Sequence, residues 1–339
     1  MSPRPHVRRL APVLALAVVA SVAAACGSTA GRSFPDDGRV RVVTTVSPIT
    51  SIVANVGGDR IHVIGIVPEG TNSHTFEPAP SDAAVVAAAD IVFLNGLHLE
   101  EPTRELTDAN VGEGVPIVAL GDETIGPDDY IFDFSFPQAS GDPNPHLWTN
   151  PRYALRYAEI VADALSALAP GDAEVFAANL AAFRARIDEL DRLVREVTAS
   201  VPEGNRVLLT YHDSFPYFAR EYGWTVIGAV QPADFSEATP QEVARLIDQV
   251  RELRVPAIFG SEVFPSPILE QIAAETGARY VDDLRDDDLP GEPGTPDHTY
   301  LGLMVFDFRT FMGALGGDVS PFDGFDTSDV APTATAVYA

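Results

Sequence analysis

The sequence predicts an α/β protein of two lobes, each built on a parallel sheet, joined by one long rigid helix. Three observations carry this. Short β-branched runs alternate with helical stretches early in the chain: VRVVTTV with SPITSIVANV, IHVIGIV, SDAAVVAAA with DIVFLNG, then VPIVAL. The rhythm returns later in RVLLTY, WTVIGAV, PQEVARLIDQVREL, PAIFG, SPILEQIAAETG and ARYV. Between them, Phe176, Leu180, Phe183, Ile187, Leu190 and Val194 recur at three- and four-residue steps, marking an amphipathic helix over 171–199. At about 1.5 Å per residue such a helix spans roughly 40 Å and is stiff.

The elements follow in order. Residues 1–25 combine Arg4, Arg8 and Arg9 with the apolar run LAPVLALAVVASVAAA, the pattern of a secretory signal rather than a membrane span. Cys26, the only cysteine, directly follows the small-residue cleavage region, so it has no intramolecular partner. The segment VAAAC resembles a bacterial lipobox, which implies lipidation of Cys26 and a soluble domain tethered to the membrane. Residues 26–38 suit a flexible tether. The first α/β lobe is expected over 39–169, the connecting helix over 170–200 and the second lobe over 201–316; 317–339 reads as a disordered tail. A coiled-coil dimer arm is disfavoured because no heptad continues across Pro170, and a monomer is expected.

The net charge of −27 excludes a nucleic-acid partner, since phosphate binding needs a basic face. All 22 basic residues are arginine. The acidity attracts cations in general but names none, and solubility outside the cell accounts for most of it.

Three histidines and one aspartate stand out, each in its own turn-rich segment: His74 in GTNSHTFEP, His146 in DPNPHLWTNP, His212 in LLTYHDSF and Asp297 in PGTPDHTY. They lie 72, 66 and 85 residues apart, so no local motif can use them and only the whole fold can bring them together. His74 and His212 follow strands, and loops at the carboxyl ends of parallel strands are where open α/β sheets bind ligands. His146 sits among prolines and Asp297 follows Pro296, both on restricted backbone. Imidazole nitrogens with one carboxylate suit a borderline divalent ion, zinc first. Taken singly, any of these histidines is more often a cap or a hydrogen-bonding loop residue.

The stretch TTVSPITSIVANVGGDRIHVIGIVPEGTNSHTFEPAPSD, the PHLWTNP segment, YHDSFPYFAREYG and the late PDHTYLGLMVFD together resemble the metal-binding solute receptors of ABC importers that serve zinc and manganese. The resemblance covers nearly all of the mature chain. It implies two Rossmann-like lobes, a backbone helix and an ion in the cleft between them, with His74, His146, His212 and Asp297 as its ligands. It also implies a permease and ATPase as partners, an extracytoplasmic, lipid-anchored location and no catalysis. The cargo is expected to be Zn2+, with Mn2+ the alternative.

Glu262 and Asp213 are candidates for accepting the imidazoles' other N–H groups, and Trp148 and Phe76 for lining the cleft. His98 is a candidate accessory contact, His298 is expected to point away, and His62 to be structural. The acidic stretch 121–144 lacks the histidine-rich loop that many zinc receptors of this kind carry, and 286–294 reads as a possible lid. Rival readings are a three-histidine zinc hydrolase with an open coordination position, a metal-free adhesive lipoprotein, and a receptor for a chelate.

Overall fold

Two open parallel sheets realise this alternation in the computed structural model, which describes residues 32–231, 238–261, 266–331 and 335–338. The expected signal segment over residues 1–25, Cys26 and Glu262 lie outside the described residues. In the first half, β1 (Val40–Thr44), β2 (Ile61–Gly65), β3 (Ile91–Leu94) and β4 (Ile117–Ala119) alternate with α1 (Ser47–Gly57), α2 (Asp82–Ala87), α3 (Glu101–Asn110) and α4 (Leu120–Thr124). Helices α5 (Pro151–Leu168) and α6 (Ala173–Ser200) follow. The second half comprises β5 (Val207–Thr210), α7 (Pro216–Tyr222), β6 (Thr225–Ala229), α8 (Pro240–Leu253), β7 (Ala257–Ser261), α9 (Pro267–Thr276), β8 (Arg279–Leu284) and α10 (Tyr300–Ala314). A last strand, β9 (Thr335–Val337), returns to the first sheet.

The strand orders are β4-β3-β1-β2-β9 and β6-β5-β7-β8. Every neighbouring pair is parallel. β2 and β3 bury every residue, which suits strands covered by helices on both faces. Prolines start α5, α7, α8 and α9, where the missing N–H costs nothing and the fixed φ favours the first turn. At α8 the Thr239 and Glu242 side chains cap each other's backbone reciprocally.

α6 buries Phe176, Phe183, Ile187, Leu190, Val194 and Val197 on one face. One hydrophobic cluster runs from Val63 of the first sheet through Phe183 and Ile187 to Phe218, Phe259 and Phe311 of the second half. The halves are therefore joined by shared core as well as by a connector, and the loops at their facing ends meet on a stiff frame.

The tail corrects an expectation. Its polar composition suggested disorder, yet Phe322 is fully buried and stacks on Phe308 with ring centroids 6.4 Å apart. β9 pairs with β2, placing Ala336 beside Val63. A few apolar anchors and sheet hydrogen bonds hold it, and both depend on partners far away in sequence. Among the described residues, no helix is long and apolar enough to cross a membrane.

Candidate metal centre

His74 lies in the loop that leaves β2, where the Asn72 side-chain oxygen accepts the His74 backbone N–H at 2.9 Å. His146 precedes a single helical turn, Leu147–Thr149, and is fully buried. Asn144 Oδ1 accepts both its backbone N–H at 3.0 Å and its Nδ1–H at 2.9 Å. An amide oxygen only accepts, so Nδ1 carries the proton and Nε2 keeps its lone pair. His212 follows β5, and its Nδ1 lies 2.9 Å from Asp286 Oδ2, which turns Nε2 toward the other two imidazoles.

The three Nε2 atoms converge. His146 Nε2 is 3.2 Å from that of His74 and 2.8 Å from that of His212. These residues form a group whose ligating atoms all lie within 4.8 Å of one another, the only such group among the described residues. Three nitrogens around tetrahedral zinc at about 2.0–2.1 Å would stand about 3.3 Å apart, so a small outward adjustment admits the ion. Phe136 and Trp148 wall the group, with ring centroids 5.5 Å from His74 and 5.1 Å from His146 respectively.

Electrostatics follow from this packing. Loss of water, then the neighbouring His212, pushes His74 and His146 well below the usual imidazole range, so both are neutral. Burial also pulls on His212, but the adjacent Asp286 charge and hydrogen bond, with Asp287 and Asp213 behind them, outweigh it and raise the group to about 9. The cage holds one proton where a cation would sit.

Asp297 is not part of this group. It is exposed, and its Oδ1 accepts the Thr327 hydroxyl at 2.7 Å. The stiff turn after Pro296 aims it at the tail. After Asp286, the next acid whose charge acts on His212 is Asp287, ten residues before Asp297. Its Oδ2 accepts the Ser73 hydroxyl at 2.5 Å, next to His74, while its Oδ1 is shielded from solvent and has no hydrogen-bond partner among the described residues. Burial, then the Asp286 charge, raises its carboxyl to about 7. Asp287 sits in a run of three aspartates, and the sequence carried no signal to choose among them. The segment 286–294 is accordingly not a solvated lid at its start, since Asp288 and Leu289 are buried.

Asp213 accepts no imidazole proton. Its carboxyl is buried beside Asp133 and pushed well above its usual range by burial and by that neighbour. Its contribution is through its carbonyl, which accepts Asn144 Nδ2 at 2.5 Å while Asp133 Oδ2 takes the same amide at 2.8 Å. The orienting groups are thus Asn144 and Asp286. Phe76 packs on the hydrophobic clusters, and its expected place beside the imidazoles is taken by Phe136. His98 is exposed and pairs with Glu101 at 3.1 Å, away from the cage. His62 binds Asp37 at 3.0 Å near the start of β2.

The chain's residues 42–314 match the family model described as zinc-uptake complex component A, periplasmic. It is 28% identical over 303 residues to the manganese-binding lipoprotein MntA of Halalkalibacterium halodurans, covering 88% of this chain and 96% of that one. It is 30% identical over 312 residues to the zinc-binding protein TroA of Treponema pallidum, covering 91% and 98%. The solved periplasmic zinc-binding protein TroA superposes with a TM-score of 0.74 at 28% identity, over 82% of this chain and 99% of that one. A buried three-imidazole cage between two parallel-sheet halves, on a chain that matches across its length, leaves one assignment: the chain belongs to the zinc-uptake component A family of non-enzymatic, metal-binding solute receptors.

Proposed function

We propose that this receptor captures zinc, in preference to manganese, and that His74, His146, His212 and Asp287 are the ligands. Its role as the substrate-binding component of a metal ABC importer follows from the family. The choice of ion is our reading of the donor set. The observation that carries it is the meeting of three Nε2 atoms, two of them on rings oriented by Asn144 and Asp286.

Three nitrogens and one carboxylate complete a four-ligand shell, which zinc accepts and which leaves no position for a reacting water. Manganese stands lowest in the divalent affinity series and favours oxygen donors. Relatives named for manganese and for zinc match comparably well, so kinship alone does not choose. The Asp287 carboxyl lies outside the tight nitrogen group and would have to move with its loop to reach the ion. Delivery to a permease and its ATPase, and anchoring through a lipid on Cys26, are part of the same proposal; the relatives named as lipoproteins support the latter.

Metal analysis of protein purified without added salts, followed by calorimetric titration with zinc and manganese, tests the reading. One zinc per chain, bound at least tenfold more tightly than manganese, is expected. Equal or tighter manganese binding would reverse the choice of ion. Unaltered zinc affinity in His212→Ala would remove the cage from the function.

A further inference from the structure

Beyond the metal cage lies a second buried group. His298 is 4% exposed, and neither ring nitrogen makes a hydrogen bond among the described residues. Its Nε2 faces Glu69 Oε2 at 3.7 Å, and the Tyr338 ring stands edge-on to it with centroids 4.6 Å apart. Tyr338 comes from the tail, which lies beyond the last family-matched residue, 314.

The tail is stitched to both halves. Asn55 of α1 donates its amide to Asp329 Oδ1 at 2.7 Å and accepts the Val330 backbone N–H at 2.8 Å. β9 extends the first sheet beyond β2. On the other side, Thr299, the residue that caps α10, donates its hydroxyl to the Thr327 carbonyl at 2.6 Å, and Thr327 donates to Asp297. The turn carrying Asp297 and His298 is therefore pinned against the first half by a segment outside the family match.

From His298 the contacts lead to the cage. Glu69 Oε1 accepts the Leu289 backbone N–H at 3.1 Å, and Gly70 donates its N–H to Asp288 Oδ2 at 2.7 Å. Ser73 then holds Asp287. The loop bearing His74 and the loop bearing Asp287 are thus laced together, with the Glu69–His298 contact at the far end and Tyr338 closing over it.

We propose that the tail, through Tyr338 on His298, is a positioning strap that keeps the Asp287 loop against the His74 loop and so slows release of the bound ion. The inference rests on the reading of these residues as the zinc site. Binding affinity depends on how much of the ligand geometry is already in place before the ion arrives, and outer residues that orient ligands set that fraction. A strap acting this way alters dissociation more than folding.

The test compares the full chain with a chain ending at Asp326 and with Tyr338→Ala, measuring zinc dissociation into excess chelator and the melting temperature without metal. Dissociation at least tenfold faster in the shortened chain, and at least threefold faster in Tyr338→Ala, is expected, with Tyr338→Phe restoring the rate to within twofold. A shortened chain that melts earlier but releases zinc within twofold of the full chain would mean that the tail serves only the fold, and the proposal fails. If the shortened chain does not fold, Tyr338→Ala decides on the same scale. A full chain that binds no zinc overturns the site reading itself, and the strap with it.

Discussion

Asp286 Oδ2 lies 2.9 Å from His212 Nδ1, and the two form the one charged hydrogen bond that the cage makes to an outer carboxylate among the described contacts. The backbone carbonyl of the same aspartate accepts Trp148 Nε1–H at 2.9 Å, so the residue that orients one ligand also seats the aromatic wall beside another. Ligand orientation, local charge and exclusion of water meet at a single position in the loop after β8.

Replacing that aspartate should therefore weaken zinc binding without dismantling the cage. In Asp286→Ala, His212 loses both the hydrogen bond that fixes its tautomer and the charge that raises its basicity. Loss of such a partner costs about 10–100-fold in metal affinity. Competition against a chelator at pH 7.5 should show at least tenfold weaker binding with unchanged circular dichroism. Affinity within twofold of the unaltered chain would mean that Asp286 does not orient the ligand.

Two aspartates ten residues apart should separate cleanly. Asp287→Ala removes the carboxyl whose Oδ1 is buried and has no hydrogen-bond partner among the described residues, and zinc affinity should fall at least tenfold. Asp297→Ala removes one exposed contact to Thr327, and β9, Asn55 and Thr299 still hold the tail, so affinity should stay within threefold. Calorimetry on both variants reads this directly. The reverse ranking would return Asp297 to the ligand set.

How much of this was legible in the sequence differs from residue to residue. The three histidines were readable because each stands alone in its loop after or between stiff elements, and imidazole is scarce in this chain. Asp297 was expected because the turn after Pro296 looked as rigid as the others; the structure leaves it exposed, bonded to Thr327 and outside the three-histidine group. Proposing Asp287 requires knowing that Ser73, the neighbour of His74, bonds it, which is a contact between loops more than 200 residues apart. Asn144 had the wrong chemistry to be noticed, since an amide beside a histidine is common in turns. The alternation of strands and helices and the apolar face of α6 are periodic and local, so they could be read directly. The tail's order rests on Phe322, Asn55 and the edge of β2, none of them near it in sequence.

Glu100 offers a test of the frame apart from the metal. It is 2% exposed; burial raises its carboxyl to about 7, even though the Asn95 N–H and the Thr45 hydroxyl both bond Oε1. An acid whose folded value exceeds its unfolded value of about 4.5 binds its proton more tightly in the native state. Stability therefore declines as pH rises from about 4.5 to about 7 and then levels, by on the order of 3 kcal/mol. Glu100→Gln keeps an oxygen for both donors and carries no charge. Urea melts of the metal-free protein at pH 5 and pH 8 should show this component of the pH dependence missing from the variant, which should be the more stable form at pH 8. A variant with the same slope as the parent would place the loss of stability elsewhere.

Zinc binding should itself release protons in two stages. The ion needs the His212 lone pair, and Asp286 holds a proton on that imidazole up to about pH 9. Below that value each pH unit costs about tenfold in apparent affinity, because one proton must leave for each ion bound. Asp287, raised to about 7, adds a second proton once the pH falls through its own value, and the dependence steepens towards about a hundredfold per unit. The sign is the same for both groups, since protonation removes a donor and acid weakens binding. Titration calorimetry in buffers of different ionisation enthalpy should find close to one proton released per zinc at pH 8 and close to two at pH 6. In Asp287→Ala the count at pH 6 should fall back towards one. Zinc affinity that stays flat between pH 6 and pH 9 would show that neither His212 nor Asp287 meets the ion.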